Sequence, residues 1–362
     1  MRSGDVPLFR SLVVRAGVLV LALAFAGERP VAASESPSLR IEARDPAGHG
    51  LLCRVGPKRV LMVSGTPEQM GAAQGRLLKR GVRGLTTRVM YLVGAGYSVS
   101  KNDWFFERIG EVMTRARPYT PSRFIRECRA LAASAGISER DALASNFFPE
   151  MFHCSGFAVR NSATKDGRLL HARVLDYMRD IGLQDYAVVQ VYLPDEHFAW
   201  MSLGYAGFIG TVTAMNEKGL AIGEMGGRGE GKWDGVPMNL LLREVMERAA
   251  TVKEAIRIIE TMPRTCEYYY VVSDRNRDMA GLCCTPEKVE ILRPGAQHER
   301  LPHVPPDTVL ISGGSRARHL SERLTRLAGR IDVAAMIDII KRPVAMRSNL
   351  HDAVFRPETL DM

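Results

Sequence analysis

The spacing of apolar residues switches at Cys154. Upstream, from Thr66 to about Glu150, they recur at helical intervals; downstream, short apolar runs alternate with turn signals and read as strands. The first two runs after the switch, Cys154 to Val159 and Arg168 to Tyr177, flank a turn-rich stretch holding Asn161, Ser162 and Asp166-Gly167. That pattern predicts a β-hairpin. A tight turn at Asp166-Gly167 sets Cys154 opposite roughly residue 179, and a wider loop from Asn161 to Gly167 sets it opposite roughly residue 174. Either register returns Cys154 beside Arg173 and Asp176. A nearby cation favours the thiolate, so the three together read as a nucleophile in its electrostatic setting. The same residues also fit a small buried hydrophobe next to a solvated Arg-Asp pair.

The amino end carries Arg2, Arg10 and Arg15, then the apolar run Ala16 to Gly27, then Pro30-Val31-Ala32-Ala33-Ser34. A basic start, a short hydrophobic segment and small residues predict an export signal over residues 1–33, hence a periplasmic or secreted protein. The run is shorter than the roughly 20 apolar residues of a membrane span, so no stable span is expected after the signal is removed; left uncleaved, it would anchor the chain. The charged residues, net +9, are scattered. Without a Lys/Arg tract interleaved with aromatics, nucleic-acid binding is excluded from the expectation. The six cysteines, Cys53, Cys128, Cys154, Cys266, Cys283 and Cys284, include no Cys-x-x-Cys pair, and the eight histidines form no metal pattern, so no metal or other cofactor is expected. An exported protein could pair some of the five cysteines other than Cys154.

An arm over residues 34–57 leads to a strand at Arg59 to Val63, and Thr66-Pro67-Glu68-Gln69 opens a helical segment. Helices are expected over Gly71 to Arg80, near Val89 to Val93, over Asp103 to Arg115 and Pro121 to Ala135, and from Ser138. After the hairpin, strands follow at 186–193, 197–203, 211–215 and 220–223, the last two joined by the turn Asn216 to Gly219. Helices at 238–249 and 251–261 precede strands at 268–272, 280–284, 289–292 and 308–311, and a helical pair from about 316 closes the pattern. Long antiparallel strands with helices in blocks predict an α+β layered fold. Gly226-Gly227-Arg228-Gly229-Glu230-Gly231-Lys232 nearly spells a phosphate loop, but Trp233 stands where Ser or Thr would bind magnesium, and Gly235 and Pro237 prevent a helix from starting there. A loop bordering the site, with Trp233 as lid or substrate wall, is the expectation instead.

Cys154-Ser155-Gly156-Phe157-Ala158, then Ala163 to Arg173, then Asp176-Tyr177, resembles the start of the catalytic chain in the acyl-coenzyme A:6-aminopenicillanic acid acyltransferase family, self-cleaving N-terminal-nucleophile (Ntn) hydrolases related to choloylglycine hydrolases. The likeness runs from about Gly65 to Phe355 and takes in Ser348 to Pro357. Members often show Cys-Thr-Ser after a glycine; here Cys-Ser-Gly follows His153. The resemblance implies the Ntn four-layer αββα sandwich, with residues 34–153 as the helical small chain and 154–362 as the catalytic chain of one composite domain. It also implies cleavage between His153 and Cys154. By matching position, Asp176 holds the new α-amine, Arg173 lies by the sulfur, and Asn216 donates its side-chain amide to the oxyanion. Relatives continue into a further strand beyond the equivalent of Met362, whose absence would leave a sheet edge open.

Cleavage would expose an α-amine of pKa near ~7.8 beside a thiol near ~8.5, so the amine can accept the thiol proton. The expected activity is amide hydrolysis or acyl transfer through a thioester, on a small-molecule amide or acyl-thioester substrate. Two alternatives stand beside it: an uncleaved Cys-His thiol hydrolase using His171 or His351, and a non-catalytic exported binding protein with an Ntn fold. For Asn216 the alternative is an amide that merely starts its turn.

Overall fold

The structure, a computed structural model, describes residues 38–147, 154–177, 179–227, 231–299 and 301–362. The expected export signal and His153 lie outside them. Three strands come first, β1 (Leu39–Arg44), β2 (Gly50–Val55) and β3 (Lys58–Gly65), where the sequence suggested an arm and one strand. Six helices follow: α1 (Pro67–Leu77), α2 (Lys79–Gly84), α3 (Tyr91–Lys101), α4 (Phe105–Ala116), α5 (Ser122–Ala135) and α6 (Glu139–Phe147). A π-helical turn, Leu85–Met90, joins α2 to α3. The hairpin β4 (Ser155–Asn161) and β5 (Gly167–Asp176) then leads to β6 (Ala187–Pro194), β7 (Trp200–Tyr205), β8 (Thr213–Asn216) and β9 (Ala221–Gly226). After α7 (Met238–Arg248) and α8 (Val252–Thr261) come β10 (Tyr268–Ser273), β11 (Met279–Cys284), β12 (Val289–Leu292) and β13 (Thr308–Ile311). Helices α9 (Gly314–Leu327) and α10 (Val333–Ile340) precede the last strand, β14 (Asn349–Phe355).

Local chemistry accounts for the boundaries. Thr66 and Gln69 form a reciprocal capping box at α1, with Thr66 N–H donating to Gln69 Oε1 at 2.8 Å and Gln69 N–H to Thr66 Oγ1 at 3.3 Å. Thr251 accepts from Glu254 N–H at the start of α8, while Glu254 takes the Ala250 N–H at 2.7 Å. Gly219, at φ +80°, closes the turn after β8 by donating to the Asn216 carbonyl at 2.9 Å.

One sheet has ten strands in the order β1-β2-β3-β6-β7-β8-β9-β10-β11-β12, and the other has four, β13-β4-β5-β14. Strand β3 pairs in parallel with β6, Val60 against Val189, so residues on both sides of Cys154 build one sheet. The sheets pack face to face. Gly156 of β4 abuts Met225 and Val271, and Phe355 and Met362 pack against Cys53, Met62 and Val191. Helices α1 and α5, with α7 and α8, cover the outer face of the large sheet, whereas α9 and α10 cover the small one, Leu320, Met336 and Ile339 seating on Phe157, Leu170 and Val174. This is the four-layer αββα sandwich. The tail after β14 folds back through a bridge between Arg356 and Asp361, with β13 and β14 as the edges of the small sheet.

The helices that precede Cys154 are tied to the layer that follows it by buried charge. Arg243 of α7 donates to Glu127 of α5 at 2.9 Å and to Glu247 at 2.7 Å, while Arg123 of α5 pairs with Glu244 and Glu247. The Arg243 guanidinium also lies 4.7 Å from the Phe124 ring centroid and 4.9 Å from that of Tyr192.

Candidate active site

The hairpin adopts the wider of its two registers. Asn161 pairs with Gly167, and Ser155 pairs with Val174, which places Cys154 across from Leu175. Cys154 is buried at a cavity of about 540 Å³ between the sheets, walled by Met225, Tyr269, Leu301, Ile311 and Met346, with Ser312 to Arg316 along one side. Burial pushes its thiol up to about 12; Arg173 and the Asp176 N–H, which faces the sulfur, pull the other way. At neutral pH the sulfur therefore holds its proton until a base takes it.

Arg173 is fully buried, and its Nη2 donates to Glu224 Oε2 at 3.2 Å. The arginine stem crosses Gly223, where an added Cβ would lie 2.5 Å from Arg173 Cγ. Any side chain at that position would displace the guanidinium. Burial raises the Glu224 carboxyl to about 7 despite the arginine beside it. Arg173 Nε and Nη1 have no hydrogen-bond acceptor among the described residues.

Asp176 ends β5 and accepts from three donors, two on Oδ1 and one on Oδ2. Its Oδ1 accepts from Met346 N–H at 2.8 Å and Asn349 Nδ2 at 3.2 Å, and its Oδ2 accepts from Arg316 Nη2. Arg316 in turn donates through Nε to the Val344 carbonyl at 2.8 Å. Sequence reasoning missed both Glu224 and Arg316. A carboxylate alone in the apolar run Leu220 to Met225 was a readable sign of the first. Nothing local marked Arg316, which lies 140 residues from Asp176 in the chain.

Asn216 is not part of this group. Cys154 faces the Met225 end of β9, whereas Asn216 lies beyond Leu220 at the other end, about 16 Å away along the strand. Its amide is also fully engaged: Nδ2 donates to the Met246 and Ala249 carbonyls at 2.8 and 2.7 Å, and Oδ1 accepts from Lys218 and Leu220 N–H at 3.1 and 3.0 Å. The oxyanion role expected of it is corrected to a structural one, splicing the β8–β9 turn to the end of α7. Asn216→Ala should accordingly lower stability by about 2–4 kcal/mol, through stranded backbone partners, and leave the turnover of the folded protein within about threefold. A fall on the order of 10² to 10³ in turnover would reinstate the oxyanion role; urea unfolding and initial rates read the two effects separately.

The histidines proposed for a Cys-His pair are placed elsewhere. His351 lies across β5 from Cys154, two strand spacings or about 10 Å off, and its ring nitrogens face Thr213 Oγ1 at 3.0 Å and Tyr205 Oη at 3.4 Å. His171 shares a face with Arg173, as its spacing predicted, but sits about 13 Å along β5 from Leu175. It contacts Ser273 Oγ through Nδ1 at 2.9 Å. Burial lowers the pKa of both, His171 to about 3. His298 does line the cavity, yet it is drawn toward Glu290 of β12 at 3.4 Å, three strands from Met225.

Trp233 is likewise not a lid. It is buried against Val112, Ala116 and Phe147 in the helical layer. All six cysteines are buried and free. Among the described residues no group of His, Cys, Asp and Glu could hold a metal ion, and no helix is long and apolar enough to cross a membrane.

Residues 162–304 match the family model described as acyl-coenzyme A:6-aminopenicillanic acid acyl-transferase. The match takes in Arg173, Asp176 and Glu224. The chain is 28% identical over 255 residues to Protein dcd1A of Dictyostelium discoideum, covering 61% of this chain and 58% of that one. It is 20% identical over 180 residues to the N-acylethanolamine-hydrolyzing acid amidase of Mus musculus, covering 47% and 49%. The chain spans about half the length of the curated relatives it matches. Among solved structures it is similar to a Caenorhabditis elegans N-acylethanolamine-hydrolyzing acid amidase ortholog, with a TM-score of 0.48, 16% identity, and 57% of this chain and 93% of that one covered.

Proposed function

Starting from its kinship with the acyl-coenzyme A:6-aminopenicillanic acid acyltransferases, we propose that this chain is a self-cleaving N-terminal-cysteine amidohydrolase or acyltransferase acting on linear amides. One observation carries the reading. A buried thiol opens on a largely apolar cavity between two arginine-carboxylate pairs, Arg173 with Glu224 and Arg316 with Asp176. In an intact chain the sulfur attacks the carbonyl of residue 153, the peptide C–N bond breaks as the nitrogen takes a proton, and water hydrolyses the resulting thioester. The products are a carboxylate at His153 and a free α-amine on Cys154. That amine supplies the base which His171 and His351 are too distant to provide.

In turnover the amine takes the thiol proton, and Sγ attacks the substrate carbonyl. The tetrahedral oxyanion forms against N–H groups at the start of α9, where Gly313 to Ser315 line the cavity and the helix presents its positive end. The ammonium returns its proton to the departing amine, leaving a thioester that water or an acceptor amine cleaves. Asp176, positioned by Arg316, accepts from the cysteine's terminal ammonium, and Arg173 favours the thiolate. The test is the intact mass of the purified wild-type protein: two associated species, the second beginning at Cys154. A mature chain unbroken at that bond rejects the proposal.

A further inference from the structure

An outward-facing apolar stripe on α3 is a feature that the active site does not use. A surface helix normally turns its apolar residues to the core. Here positions 92, 95, 96 and 99, which share one face, are Leu, Ala, Gly and Val, and all four are exposed. Leu92 is 57% and Val99 86% exposed. Two aromatic rings extend the patch: Tyr91, 50% exposed, packs on Phe106 at 4.9 Å between centroids, and Trp104, 59% exposed, flanks the same ring at 5.9 Å.

The surroundings of the stripe are cationic. From Leu77 to Asn102 the chain holds Lys79, Arg80, Arg83, Arg88 and Lys101 and no Asp or Glu. Lys79, Arg80, Arg83 and Arg88 are exposed, and none makes an ion pair among the described residues. Arg88 stands one turn before Leu92 on the same face. Among the described side chains, Asp103 is bound to Arg108 at 2.7 Å, Asp185 borders the groove beside Arg88, and Glu107 lies one turn into α4.

We infer that the α2–α3 face, with Trp104, docks on an anionic lipid surface. Apolar residues flanked by Tyr and Trp, with Lys and Arg alongside, match the layering of a bilayer interface, where the rings sit at headgroup level and the cations meet lipid phosphates. A second copy fits less well, since a two-fold interface would lay one cationic patch against another. The inference is independent of the chemistry at Cys154.

The three tryptophans make the test specific, because Trp200 and Trp233 are buried and Trp104 is not. Purified protein is mixed with vesicles whose acyl chains are brominated, made of phosphatidylcholine alone or with about one-third phosphatidylglycerol. Anionic vesicles should quench the Trp104 emission, and neutral ones much less. Leu92→Glu with Val99→Glu should abolish the quenching. Arg80→Gln, Arg83→Gln and Arg88→Gln should each weaken partitioning about fivefold at low salt. Trp104→Phe should remove the signal while leaving vesicle binding. The apolar run Ala16 to Gly27 contains no tryptophan, so association through it would sediment the protein with vesicles without this quenching. That result overturns the inference, as does a dimer in light scattering that Leu92→Glu splits. Should the glutamate variants misfold on thermal unfolding, the wild-type quenching and the arginine series still decide.

Discussion

Cys154→Ala should fold, remain a single uncleaved chain in intact-mass spectra, and lose amide-directed activity by a factor on the order of 10⁵ to 10⁶. The thiol is one small buried group, so its loss trims a few contacts and leaves the sandwich in place. Its chemical loss is large under the proposed mechanism, in which the sulfur is the attacking atom in both the cleavage and the turnover. The two readouts are linked: a variant that stays whole has no α-amine at position 154, and hence no base. A Cys154→Ala protein that still cuts itself, or that retains more than a trace of activity, would place the nucleophile elsewhere. Finding it unfolded would instead assign Cys154 to packing, which Cys154→Ser, close in volume, would separate from chemistry.

Arg173→Met should be the most damaging change among the charged residues, by two routes. It strands Glu224 in a fully buried site, at a cost of about 3–5 kcal/mol above neutral pH, and it removes the cation that favours the thiolate. Turnover of whatever folds should fall on the order of 10² or more. The sign of the pH dependence follows from the carboxyl. Its pKa in the folded protein is about 7 against 4.5 for an ordinary glutamate, so the folded state holds the extra proton. The contribution of Glu224 to stability is therefore fully present below about pH 4.5 and declines as pH rises through 7, at no more than about 1.4 kcal/mol per unit. Glu224→Gln should flatten that slope, and Arg173→Met should steepen it and extend it upward. Arg173→Met combined with Glu224→Leu should recover stability without activity. Urea unfolding from pH 4 to 9 reads all four; an Arg173→Met protein as stable as wild type at pH 8 would mean that the pair is not buried as described.

Much of the architecture was legible because it is written in local physics. The capping residues Thr66 and Thr251, the Asn216 to Gly219 turn and the switch of apolar spacing at Cys154 each depend on neighbours within a few positions. Their elements fall within a few residues of the expected bounds. The hairpin was legible up to a choice of two registers, and inter-strand packing, which the turn residues alone do not specify, selected the wider loop. Strands β1 and β2 were read as an arm because only pairing with each other and with β3 makes them strands.

The site divides along the same line. Residue types and spacing brought Cys154, Arg173 and Asp176 together, since a hairpin is a short-range object whose pairing the sequence limits to two choices. Pairings across a hundred residues or more were decided by tertiary structure alone: Arg316 on Asp176, Arg243 on Glu127, and the burial that drives the Cys154 thiol up. The distance of Asn216 and His351 from the sulfur belongs there too. A side chain's partners across the core depend on how sheets stack, and the dielectric around a charge depends on everything packed near it, so neither is a property of any stretch of sequence.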